Sequence, residues 1–535
     1  MGVWDAVKNI TNKVVRDIND TRNDSSIQID RKIRDDLGIL GVPKRNVWVF
    51  NAGLTFGGNP KWLFVYINKY RPDIKAFWLC TEEDTVEYIR SLGYKAFLYS
   101  SKEGLDVAAA SGVYVVEQCK ESIPAEFKDC VYLNLFHGVG CKTIERNLKS
   151  GLLLKRIMKK YVVNNEIFRN NQLFLVTSPL MEEHFKTDIG LDDDMVVRGG
   201  YPRCIYQGNY DRVETFNHDL KKRKGRNKDT KIVVYSPTFR ENSDVDFMSK
   251  ALPDMKLLEE TLKKNNQLLI FKMHPIMLET CAEYIQIKEK YENSPYFMFW
   301  DNNEDIYEVL DMIDVAIIDY SSIFYDFLAA GVKNFIRYFF DYELTENVRE
   351  GAYDYKEMTC GRYCTDFSQL IDALSDCEAK PEEEKERERI YDLFWQYAEK
   401  DSMDKIIESA ISFEIKKDIL PTLYSFDIFD TLISRKGLHP DSIFYYVKEK
   451  MAESCLGFSR HLVNSYIDIR RRCEANVREY YDKTTGVRNS DCREISFDSI
   501  FNRIASLYNL TEEQVPSLRK PSLKPNSTTV FLFPK

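Results

Sequence analysis

The chain contains no CxxC pair and no long apolar run, and each absence removes a class of function. Its 12 Cys are scattered singly through 535 residues, Cys360 and Cys364 being the closest. That spacing fits reduced thiols in a cytoplasm better than a disulfide framework or a zinc site. No stretch approaches the ~20 apolar residues that span a bilayer, and no signal-peptide core follows Met1. The chain is therefore expected to be soluble or membrane-peripheral. A GxxxxGK[ST] phosphate loop and a GxSxG elbow are both missing. Asp192-Asp193-Asp194 has no nearby His or Cys partner and reads as a solvated acidic turn, so no metal site is expected. A formal charge of −9 argues against general nucleic-acid binding.

What is present is ample core: 44% hydrophobic and 13% aromatic residues, in a chain too long for one domain. Short apolar runs (VWVF, AFWL, GVYVV, VYLNLF, LFLVTS) alternate with helical stretches from Asn46 to about Arg203. A polar segment, Asn209 to Asp229, reads as a linker or crossover. A second alternating series follows from Lys231 to about Ile415, with strands in KIVVY, LLIFK and VAIID. Two such series describe two facing Rossmann-like domains in an α/β protein. The boundaries expected are 1–40 for a leading helical element, 41–208 and 209–418 for the two domains, 419–515 for a third unit, and 516–535 for an irregular tail. The leading element reads as a docking helix, with a membrane-surface helix as the alternative.

Four motifs stand at the carboxyl ends of these strands, where open α/β sheets bind ligands. His137 follows YLNLF and is itself followed by Gly138 and Gly140, and an imidazole there can accept a proton near neutral pH. His274-Pro275 follows QLLIFKM, and Pro275 stops further ladder bonding. Asp319-Tyr320-Ser321-Ser322 ends VAII and opens a helix whose free N–H groups and hydroxyls suit phosphate, plain N-capping being the competing role. Thr238 and Arg240 lie in SPTFR after KIVVY, and Arg240 offers a fork for phosphate or carboxylate. Arg203, in GGYPR, is a second such arginine, equally fitted to a structural salt bridge. A basic stretch runs through Lys142, Arg146, Lys149, Lys155, Arg156, Lys159 and Lys160. It is either a solvated helix face or a track for a polyanionic or membrane-bound acceptor.

In order and spacing, FNAGLTFGGNPKWLFVYI, FHGVGCK, GGYPR, SPTFR, FKMHP and IDVAIIDYSSIFYDFLAAG resemble the CDP-glycerol glycerophosphotransferases of bacterial teichoic-acid and capsule synthesis. The resemblance runs from Val47 to about Leu374. It implies a GT-B-like fold with an acceptor domain at 41–208 and a CDP-donor domain at 209–418. It also implies His137 as catalytic base, with His274, Arg240, Ser321 and Ser322 on the donor phosphates. Thr238 is a further candidate ligand of those phosphates, and Gly138, Asp319 and Arg203 are candidates for supporting roles. FHGVGCK departs from the family pattern, which commonly has Trp before the His and Thr-Pro-Leu after the Gly. The third unit resembles the front of a HAD-type phosphatase. In SFDIFDTLI, Asp427 matches the nucleophile, while Phe429 stands where the acid/base Asp is usual and Asp430 is one place late. Later HAD motifs are not found, so this unit is expected to be non-catalytic, its helices forming a cap.

The function expected from the resemblance is transfer of glycerol phosphate, or a related polyol phosphate, from a CDP-alcohol to a cell-surface polymer with release of CMP. The acceptor is a polyol-phosphate or saccharide polymer, lipid-linked or free. No cofactor beyond the donor substrate is called for, no nucleic-acid partner is expected, and an oligomer is left open. The resemblance implies action at the inner face of a bacterial cell membrane, with its anionic surface as a partner. The alternatives are a GT-B glycosyltransferase using a nucleotide-sugar and a non-enzymatic assembly subunit.

Overall fold

A computed structural model describes residues 31–51, 53, 55–119, 123–148, 157, 160, 171–238, 247–341, 352–415, 442–454, 456–485, 497–511 and 513–515. The apolar runs become strands because each is covered on both faces, the condition under which parallel sheets form. The first sheet comprises β1 (Val47–Phe50), β2 (Lys75–Cys80), β3 (Ala96–Leu98), β4 (Val113–Val116), β5 (Val131–Asn134), β6 (Gln172–Val176) and β7 (Val196–Arg198). Its order is β3-β2-β1-β4-β5-β6-β7, with every pairing parallel. The second sheet holds β8 (Lys231–Ser236), β9 (Gln267–Phe271), β10 (Phe297–Phe299), β11 (Val315–Ile318), β12 (Asn334–Tyr338) and β13 (Arg362–Cys364). Its order is β10-β9-β8-β11-β12-β13, again all parallel. Both are doubly wound, and their strand order reverses at β1/β4 and at β8/β11. The crevice beyond the strand ends lies at those points.

Alternation along the strands divides the core. Trp48 and Phe50 join one apolar cluster while Val47 and Val49 face another on the opposite side of the sheet. The largest cluster is shared: it takes Trp78 and Leu133 from the first sheet and Val234, Ile270 and Ile318 from the second. The two sheets therefore face one another across continuous packing.

The helices that flank the crevice or join its two sides are α1 (Gly58–Tyr70), α2 (Pro179–Ile189), α3 (Pro202–Asn209), α4 (Pro275–Thr280), α5 (Ile323–Ala329), α6 (Pro381–Trp395) and α7 (Ser402–Ser412). The last two come from the end of the second α/β series, yet they pack on the first sheet's side. Trp395 sits edge-on to Tyr201 at 5.5 Å, Tyr397 N–H donates to the Thr177 carbonyl, and Gly200 N–H donates to Ser402 Oγ at 3.0 Å. A Cβ at Gly200 would stand 2.9 Å from Ala398 Cβ, so the close approach of this crossing requires glycine there.

The polar crossover at 209–229 is likewise packed rather than free. Thr215 and His218 turn inward onto Glu308, and Arg212 pairs with Asp311 at 2.7 Å. Beyond the second sheet, helices α8 (Ser442–Glu453), α9 (Arg460–Asn464), α10 (Tyr466–Thr485) and α11 (Phe497–Tyr508) make a separate core around Met451, Leu462, Ile469 and Ile504. The helical stretch expected up to Leu510 is thus present. Asp427, Phe429 and Asp430 lie outside the described residues, as do the amphipathic pattern of residues 1–30 and the tail from Pro516.

Candidate active site

His137 stands three residues past the end of β5, and the intervening turn explains how its ring is aimed. Phe136 adopts φ 50°, a left-handed conformation that a bulky residue holds only under tertiary support. That support is specific. The Asn134 side chain accepts from Phe136 N–H at 2.9 Å, and Asn59 Nδ2 of α1 donates to the Leu135 and Phe136 carbonyls at 3.3 and 2.7 Å. Tyr201 donates its hydroxyl to the Gly138 carbonyl at 3.1 Å. These bonds replace the sheet ladder, which is why the strand stops before the histidine.

The His137 ring makes one bond that fixes its chemistry. Nδ1 lies 3.1 Å from the backbone carbonyl of Glu117, just beyond β4. A carbonyl oxygen can only accept, so Nδ1 carries the proton and Nε2 presents a lone pair. The ring edge is open to the crevice, yet surrounding protein lowers the imidazole pKa below its ordinary value. Burial is the main cause. The Glu117 carbonyl opposes it, the Arg203 guanidinium adds to it, Asp326 opposes it, and Lys160 adds a further lowering. A neutral, tautomer-locked imidazole is what a general base needs at neutral pH.

Across the crevice, His274 has the opposite arrangement. It is the N-cap of α4, with Pro275 in the first turn, and its Nδ1 accepts from Ile276 N–H at 3.3 Å. Nε2 therefore carries the proton, making His274 a donor toward an anion. Burial, with the Lys272 ammonium second, holds its pKa below the ordinary value. Lys272 itself is pushed down to about 8 by burial, against the pull of Asp305, and is hydrogen-bonded to Asn302 Oδ1. The sequence places Lys272 in the FKMHP motif without indicating its role. An ammonium beside a donor imidazole extends the cationic lining of this strand end.

The DYSS segment is anchored by its aspartate. Asp319 is buried and accepts from Thr238 N–H at 2.8 Å and Thr238 Oγ1–H at 2.6 Å, tying the loop after β8 to the end of β11. Thr238 and Asp319 thus shape the site floor from within. Ser322 occupies the N-cap position of α5 but makes no side-chain cap bond, and Ser321 Oγ is 3.5 Å from Ile323 N. Plain capping therefore leaves the exposed Ser322 hydroxyl unexplained. Gly331 closes the helix with φ 89°. Arg240 lies outside the described residues.

The two sides meet. A Cβ at Gly138 would stand 3.7 Å from Ser322 Oγ, so the residue after the imidazole faces the serine across a narrow gap. Behind it, two buried ionic groups join the sheets. Lys61 of α1 reaches Asp305 and Glu308 at 2.7 Å each, and Glu308 also takes His218 Nε2 at 2.8 Å. Arg203 of α3 meets Asp326 of α5 at 2.6 Å. Arg203 thus makes the salt bridge that its sequence context allowed.

The basic stretch is not one solvated track. Lys160 is buried and paired with Glu145 at 2.8 Å, and Arg146 donates to the Lys186 and Thr187 carbonyls in the last turn of α2. Lys160 is thus engaged inside the protein, while the half-buried Arg146 is held against the end of α2. Lys149, Lys155, Arg156 and Lys159 lie outside the described residues, which contain no group of three metal-ligating side chains. The sequence does not single out Asn59, Glu117, Asp305, Tyr307 or Asp326, all of which shape the site. Asp326 had a readable signal, being a lone carboxylate inside the apolar helix IFYDFLA.

The family model of CDP-glycerol:poly(glycerophosphate) glycerophosphotransferases matches residues 39–411. The chain belongs to this family. Among its relatives is the teichoic acid poly(glycerol phosphate) polymerase of Bacillus spizizenii strain W23. It is 27% identical over 397 residues, covering 70% of this chain and 94% of the relative. The teichoic acid glycerol-phosphate primase of the same organism is 30% identical over 261 residues, covering 48% and 62%. The solved wall teichoic acid polymerase TagF shares the fold. Its TM-score is 0.55 at 18% identity, over 75% of this chain and 97% of that one. The chain is accordingly a glycerophosphotransferase with a GT-B-like α/β fold, acting from CDP-glycerol.

Because the Gly138 Cβ contact with Ser322 would be an ordinary one, packing alone does not require glycine there. Gly138→Ala in this glycerophosphotransferase is expected to shift unfolding free energy by less than about 0.5 kcal/mol. Turnover should fall because the methyl group occupies the gap between imidazole and serine. Denaturation and rate assays on the purified variant check this; unchanged turnover would show that the gap is not used.

Proposed function

We propose that the protein extends a teichoic-acid-like polymer by transferring glycerol phosphate from CDP-glycerol to the polymer's terminal hydroxyl. The observation that carries the residue assignment is the tautomer of His137, whose Nδ1 is committed to the Glu117 carbonyl and leaves the lone pair on Nε2. In the reaction the acceptor oxygen attacks the β-phosphorus. The bond from that phosphorus to the bridging oxygen breaks, CMP leaves, and the hydroxyl proton passes to Nε2. His274, Ser321, Ser322 and, from the sequence, Arg240 hold the pyrophosphate and offset the charge that develops on it, with Lys272 beside them. The polymer names of the relatives support the acceptor class.

His137→Ala should reduce turnover by ~10²–10⁴ with donor binding retained, the usual weight of general-base help. In the parent enzyme, the midpoint of the acid limb should lie below 6.5, the ordinary imidazole value, because burial depresses the His137 pKa. Incubation with a panel of CDP-alcohols and nucleotide-sugars tests the donor: CMP release from CDP-glycerol supports the proposal. Release of UDP or GDP from sugars instead would make the protein a glycosyltransferase.

We further place the enzyme at the inner membrane face, in reach of a lipid-linked acceptor. Among the described residues no helix is long and apolar enough to cross a bilayer. Attachment would then rest on surface cations, which contribute about 1 kcal/mol each near an anionic leaflet. Charge reversal at Lys155, Arg156 and Lys159 is expected to reduce co-sedimentation with anionic vesicles and to raise the acceptor KM without changing donor affinity. Undiminished sedimentation would remove this stretch from the membrane contact.

A further inference from the structure

The Arg203 guanidinium reaches the catalytic loop directly as well as the carboxylate that balances it. Its Nη2 lies 2.6 Å from the His137 backbone carbonyl and 2.6 Å from Asp326 Oδ2. The two side chains are 9% and 3% exposed. Tyr307 donates its hydroxyl to the same Oδ2 at 2.5 Å and lays its ring against the guanidinium, 4.6 Å from centroid to Cζ. Arg203 N–H bonds Asn59 Oδ1 at 3.2 Å, and Asn59 in turn holds the Leu135 and Phe136 carbonyls.

We propose that Arg203 and Asp326 are positioning residues that set the placement and protonation of His137. This rests on His137 being the base. One guanidinium nitrogen carries two hydrogens and so serves both acceptors at once, which the ammonium of a lysine on a different stem does not reproduce. Asp326 lies in the helix that begins immediately after Ser321 and Ser322. The same link therefore fixes the distance between the base and the serine hydroxyls, and it adds to the support of the φ 50° turn at Phe136. The groups facing the imidazole are Glu117 beyond β4, Arg203 of α3, Asp326 of α5, and Lys160, itself paired with Glu145. Of these, the Arg203 charge disfavours imidazolium and the Asp326 charge favours it. Removing one or the other should move the titration of His137 in opposite directions.

The experiment measures kcat, donor affinity and the pH profile of Arg203→Met, Arg203→Lys, Asp326→Asn and Tyr307→Phe in the full chain. Each value is normalised to the folded fraction by circular dichroism. Loss of placement by about an ångström costs ~10²-fold in rate, so Arg203→Met should lose about that in kcat while donor affinity stays within about twofold. Arg203→Lys should not restore it. The acid limb should move to higher pH in Arg203→Met and to lower pH in Asp326→Asn. An affinity loss with kcat intact would make Arg203 a donor ligand and overturn the proposal. So would rates that track only the folded fraction, with the acid limb unmoved. If the charged variants do not fold, Tyr307→Phe decides, since it removes a single hydroxyl. A lowered kcat in a folded protein is expected, and a parental kcat and pH profile would overturn the positioning role. His137→Ala, run in parallel, separates failure of this proposal from failure of the base assignment, because only the latter leaves that variant active.

Discussion

Arg203 and Asp326 meet inside the seam between the two sheets, where neither charge would be tolerated alone. Removing one member of such a buried pair typically costs about 3–5 kcal/mol, because the survivor is left uncompensated. The pair is joined to Tyr307, to Asn59 and to the carbonyl of His137, so the constraint is geometric as much as energetic. A second buried group, Lys61 with Asp305, Glu308 and His218, spans the same seam nearby. Hydrophobic packing continuous from one sheet to the other would allow some sliding; directional pairs at a few points do not. The crevice inherits its shape from them.

Within that crevice, two histidines of ordinary chemistry receive different roles from the backbone. A carbonyl at Nδ1 makes His137 an acceptor at Nε2, whereas a backbone N–H at Nδ1 makes His274 a donor. Burial lowers both pKa values, which keeps the first ready to take a proton and leaves the second a neutral hydrogen-bond donor. Lys272, at about 8, is the cation that remains beside the donor imidazole under neutral conditions. An acid–base division of labour between two similar rings follows from a single bond to each.

The parallel sheets were legible because their strands are short, apolar and buried on both faces. The strand-end motifs were legible because polar residues are conspicuous after such runs. Bonds that cross between distant segments were not legible. Nothing in the sequence around Asn59 reveals that it holds a loop 76 residues away. Arg203 offered two roles of equal merit in sequence, and its ion pair with Asp326 is visible only in three dimensions. The basic stretch looked uniform because sequence does not show that Lys160 turns inward to Glu145. The helices at 381–412 continue the second series in the chain, and their return to the first sheet depends on Gly200 and Ser402 meeting in space.

The chemistry of the site turns on His137 being held as a neutral base with its lone pair on Nε2. That state is tested most directly by nitrogen-15 NMR of the enzyme with labelled histidine, the His137 signal being assigned by its loss in His137→Ala. At pH values above the acid limb of activity, a protonated Nδ1 and an unprotonated Nε2 are expected. A ring carrying its proton on Nε2, or still doubly protonated at neutral pH, would contradict it.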